Sequence, residues 1–200
     1  MESLINTTIY NKYEILFGEL IELIRETNKR VIREDSDDLF VDNLNFFNKS
    51  FMVVTCTYLE AYLKEVVYFC IESINSNLKT SPVARNLVYW SVMKNKDKDK
   101  DRCFEDFKLE IYQDDIDSEI SGNVGKTIDL FSKLGINLNI EEEFRNHKDS
   151  IAGIVTKRNN IVHHNDDASD VSLNDVISYI NSIKSYLAYI DKQVITYLGL

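Results

Sequence analysis

Ser172-Leu-Asn-Asp-Val-Ile-Ser-Tyr-Ile-Asn-Ser-Ile-Lys-Ser-Tyr-Leu-Ala-Tyr-Ile-Asp-Lys-Gln-Val194 decides the fold. Val176, Ile180, Ile183, Leu187, Ile190 and Val194 recur at alternating spacings of four and three, which lays one continuous apolar stripe along a helix. Ser172 and Asp175 have the spacing of a capping box at its start, with Asp in place of the usual Glu. Such a stripe must be covered. A coiled-coil oligomer could use it, but three heptads in a chain of this size more commonly seal an intramolecular bundle.

The covering elements are legible upstream. A helix over about residues 43 to 77 carries Phe51, Val54, Tyr58, Leu59, Tyr62, Val66 and Phe69, a set broad enough for the middle of a bundle. A first helix over about 7 to 33 places Ile9, Tyr13, Leu16, Phe17, Leu20 and Ile24 on one face, and the acidic run from Glu34 to Asp38 ends it. Ser81-Pro82 predicts a cap and a first-turn proline for a helix of about 82 to 94. The alternating Lys and Asp from Lys94 to Arg102 read as an exposed loop. Shorter helices are expected at about 103 to 111 and 124 to 134, the second stopped by Gly135, and a longer one at about 141 to 163. With one proline and six glycines, the chain is expected to be all-α, a bundle of four to five main helices plus short ones.

Two hundred residues with 44% hydrophobic content suit one domain over 1–200, and no internal repeat is visible. A net charge of −10 argues against broad electrostatic binding of duplex DNA or anionic membrane, so any nucleic-acid site must be local. Cys56, Cys70 and Cys103 lack paired spacing and read as reduced thiols rather than a disulfide framework. Neither a signal peptide nor an apolar run of about 18 residues is visible, and the cytoplasm is the expected compartment.

Chemistry concentrates at Arg158-Asn159-Asn160-Ile161-Val162-His163, which puts a permanent cation, an amide and an imidazole within six residues. That set suits a phosphodiester. Ile151, Ile154, Val155, Ile161 and Val162 trace the apolar stripe of this helix, and Arg158 falls on it at core spacing. A buried unpaired guanidinium costs several kcal/mol, roughly, so Arg158 must face an internal acid, a partner chain or an anionic ligand. Glu60, amid the apolar stretch of the long helix, is the candidate acid. Asn159 and His163 are four apart and share a face, whereas Arg158 lies about 140° round from His163 on a regular helix. The bland alternative makes Arg158 interfacial, Asn159 solvated and His163 the cap of a fraying end.

Arg158-Asn159-x-x-x-His163, a polar loop and an amphipathic helix together resemble the HEPN superfamily, whose members carry an Arg-x4-6-His signature. The order and spacing of Gly122-Asn-Val-Gly-Lys-Thr-Ile-Asp-Leu-Phe-Ser-Lys-Leu-Gly135, and of Tyr58-Leu-Glu-Ala-Tyr-Leu63 upstream, look like the RiboL-PSP-HEPN branch over about residues 50 to 195. The resemblance implies a helical domain that dimerises to bring two motifs together around a cleft. Many such proteins are metal-independent endoribonucleases of toxin or antiphage systems, and others are non-catalytic modules that bind a partner protein or nucleotide. By position, Arg158, Asn159 and His163 would be the active residues, with Glu60 and His164 as candidates for support. Three positions depart from the pattern. His164 stands where a glycine commonly follows the histidine, Val162 where alanine is frequent, and Asn165 where members regulated by AMP transfer carry tyrosine.

RNA carries its own nucleophile, the 2′-hydroxyl beside the scissile phosphate, so no metal or cofactor is expected. A neutral imidazole could take the 2′ proton, an imidazolium could protonate the leaving 5′ oxygen, and guanidinium could stabilise charge on the phosphoryl oxygens. The expected partners are RNA, a second copy of the chain and an antitoxin or defence-system protein, with no membrane. Gly122 to Thr127 fails as a P-loop, because only two residues separate its glycines and no strand precedes it. His163, His164, Asp166 and Asp167 could chelate a divalent ion, but adjacent histidines in a polar loop are more often solvated. No serine or cysteine nucleophile with a placed base and no spaced cysteine quartet is apparent.

Overall fold

The hydroxyl of Thr7 accepts a hydrogen bond from the Tyr10 N–H at 3.0 Å, which caps the first of seven helices among the described residues. A computed structural model describes residues 6–33, 37–81, 87–88, 109–164 and 170–200. The helices are α1 (Thr8–Ile32), α2 (Asp38–Asp42), α3 (Leu44–Thr80), α4 (Gln113–Glu119), α5 (Val124–Lys133), α6 (Glu142–His164) and α7 (Leu173–Leu198). No strand occurs among the described residues, and the fold is all-α.

All six residues of the α7 stripe are at most 1% exposed, so the seam is spent inside the chain rather than offered to a coiled coil. Helices α1, α3 and α7 pack pairwise, and α6 closes the bundle against α3 and α7. Helix α3 is the middle element because it buries residues on several sides: Phe51, Met52, Cys56, Leu59, Leu63, Val66 and Val67 are all in the core. Helix α1 contributes Tyr13, Phe17, Leu20 and Ile24, and the Tyr13 and Tyr62 rings meet edge to face at 5.7 Å.

One fully buried carboxylate ties three of these helices. Asp191 on α7 accepts from the Thr7 N–H at 2.9 Å, the Thr7 hydroxyl at 2.5 Å and the Tyr62 hydroxyl at 3.2 Å. Burial, then the neighbouring Asp191, raises the Tyr62 phenol well above its ordinary pKa, so it remains a donor.

Capping sets most boundaries. Ser172 and Asp175 form the capping box of α7, with both reciprocal bonds present. Gly135 follows α5 at φ +88, a conformation that favours glycine, and a Cβ there would sit 2.9 Å from the hydroxyl at the tip of Tyr197, which would have to shift. Two elements differ from expectation. The acidic run was expected only to end α1, yet Asp37 accepts from the Leu39 N–H and starts the short α2. Of the helix expected at 103 to 111, residues 103–108 lie outside the described residues, and 109–112 are not helical. Asn75 instead clamps Leu109, accepting its N–H at 2.8 Å and donating to its carbonyl at 3.4 Å, and α4 begins at Gln113. Leu87 and Val88 are helical, but the rest of the expected 82–94 helix after Ser81, the 94–102 loop and Cys103 lie outside the described residues. Cys56 and Cys70 are free buried thiols, pushed up to about 11 and about 12 chiefly by burial. Among the described residues, no helix is long and apolar enough to cross a membrane.

Candidate functional site

Helix α6 packs Ile151, Ile154, Val155 and Ile161 into the core, and the same stripe carries Arg158 inward. Its side chain is only 18% exposed, and it lies against α3. Nη2 donates to Glu60 Oε2 at 3.3 Å, while Nη1 donates to Asn159 Oδ1 at 3.1 Å. Nε is buried and has no hydrogen-bond partner among the described residues. The acid named from the sequence is therefore the one that faces Arg158. Asn159 is half-buried beside the guanidinium rather than simply solvated.

Glu60 is shared. Its second oxygen, Oε1, accepts from Lys64 Nζ at 3.0 Å, and Lys64 also reaches Asp117 Oδ1 of α4 at 3.3 Å. Burial works against the Lys64 ammonium, but the two carboxylates outweigh it and hold its pKa above the ordinary lysine value. Cys56 also borders the site: burial raises its thiol, and the Arg158 charge partly opposes that rise.

His163 stands apart. It is exposed near the end of α6, and among the described residues it bonds to neither Arg158 nor Asn159. One chain thus gathers Arg158, Asn159 and Glu60 at the α3–α6 contact and presents His163 at the surface beside it. His164 ends α6, and its side chain lies outside the described residues, as do Asn165, Asp166 and Asp167. Among the described residues, no group of three or more His, Cys, Asp or Glu could hold a metal ion. His147, read from the sequence as exposed, is half-buried.

The Gly122–Gly135 segment serves packing. Gly122 turns at φ +71 over Leu59 and Val155, where a Cβ would make ordinary contacts at 3.9 and 3.8 Å. Asn123 then caps α5 by accepting from the Lys126 N–H at 3.1 Å. Sequence reading missed Lys64 and Asp117. Lys64 could have been found four residues after Glu60 on one helix face, whereas Asp117 required knowledge of α4.

The RiboL-PSP-HEPN family model matches residues 10–196, nearly the whole chain. The chain belongs to the RiboL-PSP-HEPN family. No curated protein and no solved structure matches it. Within this RiboL-PSP-HEPN domain, the unusual Val162 is 49% exposed, so the bulk it adds over alanine meets solvent rather than the core.

Proposed function

We propose that this RiboL-PSP-HEPN protein is a metal-independent endoribonuclease that acts as a toxin or antiphage effector. The observation that carries this reading is the guanidinium of Arg158, a permanent cation at a core position that Glu60 and Asn159 each take at one terminal nitrogen, five residues before the exposed His163. A fixed cation that retains donor capacity suits a phosphoryl group whose charge grows during reaction. His163 lies about 7.5 Å further along the helix axis, exposed and free to meet substrate.

The reaction begins when a neutral imidazole removes the 2′-hydroxyl proton. The 2′ oxygen attacks the adjacent phosphorus, the P–O5′ bond breaks, and an imidazolium donates its proton to the 5′ oxygen. The products are a 2′,3′-cyclic phosphate and a 5′-hydroxyl. Acid and base are two imidazoles, so the site is completed by a second copy of the chain about a twofold axis. Pure protein is expected to cleave single-stranded RNA in EDTA, and His163→Ala to lose about 100-fold or more in rate. Cleavage that survives His163→Ala rejects the mechanism.

The internal pairing of Arg158 supports a second reading, a non-catalytic module for a partner protein or nucleotide in which Arg158 is structural. On that reading Arg158→Ala lowers stability and no preparation cuts RNA. Clear cleavage by the wild type removes it.

A further inference from the structure

Four charged side chains of alternating sign run from α4 to the motif: Asp117, Lys64, Glu60 and Arg158. The inner three are largely shielded, with side-chain exposures of 23% for Lys64, 25% for Glu60 and 18% for Arg158, whereas Asp117 is 45% exposed. Glu60 and Lys64 lie at i and i+4 with the acid first, the favourable order on a helix. That pair alone does not fix Lys64, because an ammonium on a four-carbon stem is strongly hydrated and readily swings away.

Asp117 supplies the second anchor. Its neighbour Ile116 is 1% exposed in the core and fixes α4 beside Asp117, and at the surface Lys133 of α5 pairs with Glu119 at 2.5 Å. With Lys64 held between two carboxylates from different helices, Glu60 Oε1 is drawn toward α4 and only Oε2 faces Arg158. Glu60 therefore holds the guanidinium at Nη2 alone, while Nη1 reaches Asn159 and Nε is enclosed without a partner among the described residues. A Glu60 free of Lys64 could take Arg158 with both oxygens, the geometry that carboxylates and guanidinium prefer, and so cover the donors a phosphate needs.

We propose that Asp117 is a positioning residue which, through Lys64, keeps Glu60 from taking Arg158 with both oxygens and so leaves the remaining Nη protons of the guanidinium for an anion. The proposal rests on the ribonuclease reading only for what the anion is, namely the RNA phosphodiester. Because the outer link is exposed, its effect is modest. Asp117→Asn is expected to lower kcat/KM for RNA cleavage about 2- to 5-fold, and Asp117→Glu to restore it.

The deciding measurement is the Nε–H signal of Arg158 in side-chain NMR of the full chain, assigned by its loss in Arg158→Lys. In Asp117→Asn and Lys64→Met the signal is expected to shift and its exchange with water to change, while Asp117→Glu returns it to the wild-type position. An unmoved Arg158 signal in folded Asp117→Asn overturns the proposal, even where that variant melts at lower temperature. A wild type that cuts no RNA defeats the ribonuclease reading, and the Arg158 signal still decides this one.

Discussion

Arg158 and Glu60 show how a misplaced charge can be read before the structure is seen. Each interrupts an apolar stripe, and two such interruptions on helices that must pack together call for one another. They form one partly buried pair at 3.3 Å. Glu60→Gln is expected to cost about 1–2 kcal/mol in denaturant unfolding, because the guanidinium loses its carboxylate where little water replaces it. The double variant Arg158→Met with Glu60→Gln should regain most of that loss, and equal additive losses would show that the two are uncoupled. Asp191 was not legible in the same way. It lies between Ile190 and Lys192, where a carboxylate looks like the polar edge of the stripe, and its partners Thr7 and Tyr62 are distant in sequence. Asp191→Ala strips the acceptor from three buried donor bonds, and about 3 kcal/mol of destabilisation is expected by the same measurement.

Among the elements, the long periodic helices and the ten-residue α5 were readable and the two shortest helices were not, for a physical reason. Helices α1, α3, α6 and α7 each run through five or more turns, so the 3.6-residue period repeats often enough to stand out. Helices α2 and α4, of five and seven residues, hardly complete a second turn, and they are set by caps and by contact with α3 rather than by pattern. The missed α4 is also why Asp117 escaped notice at the site. The stop after α5 was legible, and it gives a sharp test. Gly135→Ala forces a Cβ residue to φ +88 and brings that carbon to 2.9 Å from the Tyr197 hydroxyl, so about 1–2 kcal/mol of destabilisation is expected from the backbone alone and more from the clash. Placing Gly135→Ala in a Tyr197→Phe background removes the offending oxygen and should recover the second part but not the first. A penalty that is identical in both backgrounds, measured by thermal unfolding, would show that Tyr197 simply moves aside.

For the whole molecule, the question is whether one bundle is a sufficient enzyme. A single chain directs Arg158 inward against Glu60 while His163 is exposed on the neighbouring surface, and it supplies one motif imidazole where the proposed chemistry uses two. Each chain carries a net charge of −10, so any association of two copies would need local complementarity against a background of repulsion. A twofold pairing that opposes two motifs satisfies the chemistry, because one chain's Arg158 and the other's His163 then serve the same phosphate. Arg158→Ala and His163→Ala should each be nearly inactive alone, the first retaining two imidazoles without guanidinium and the second the reverse. When the two variants are unfolded together and refolded as a mixture, random pairing makes about half of the dimers mixed, each with one intact Arg158 and one intact His163 on different chains. RNA cleavage by the mixture is expected to exceed the sum of the two parents by about tenfold, since a guanidinium and one imidazole return to the same site. If each chain instead acts alone, no molecule in the mixture holds both groups, and cleavage stays at the parental sum whatever the ratio of the two variants.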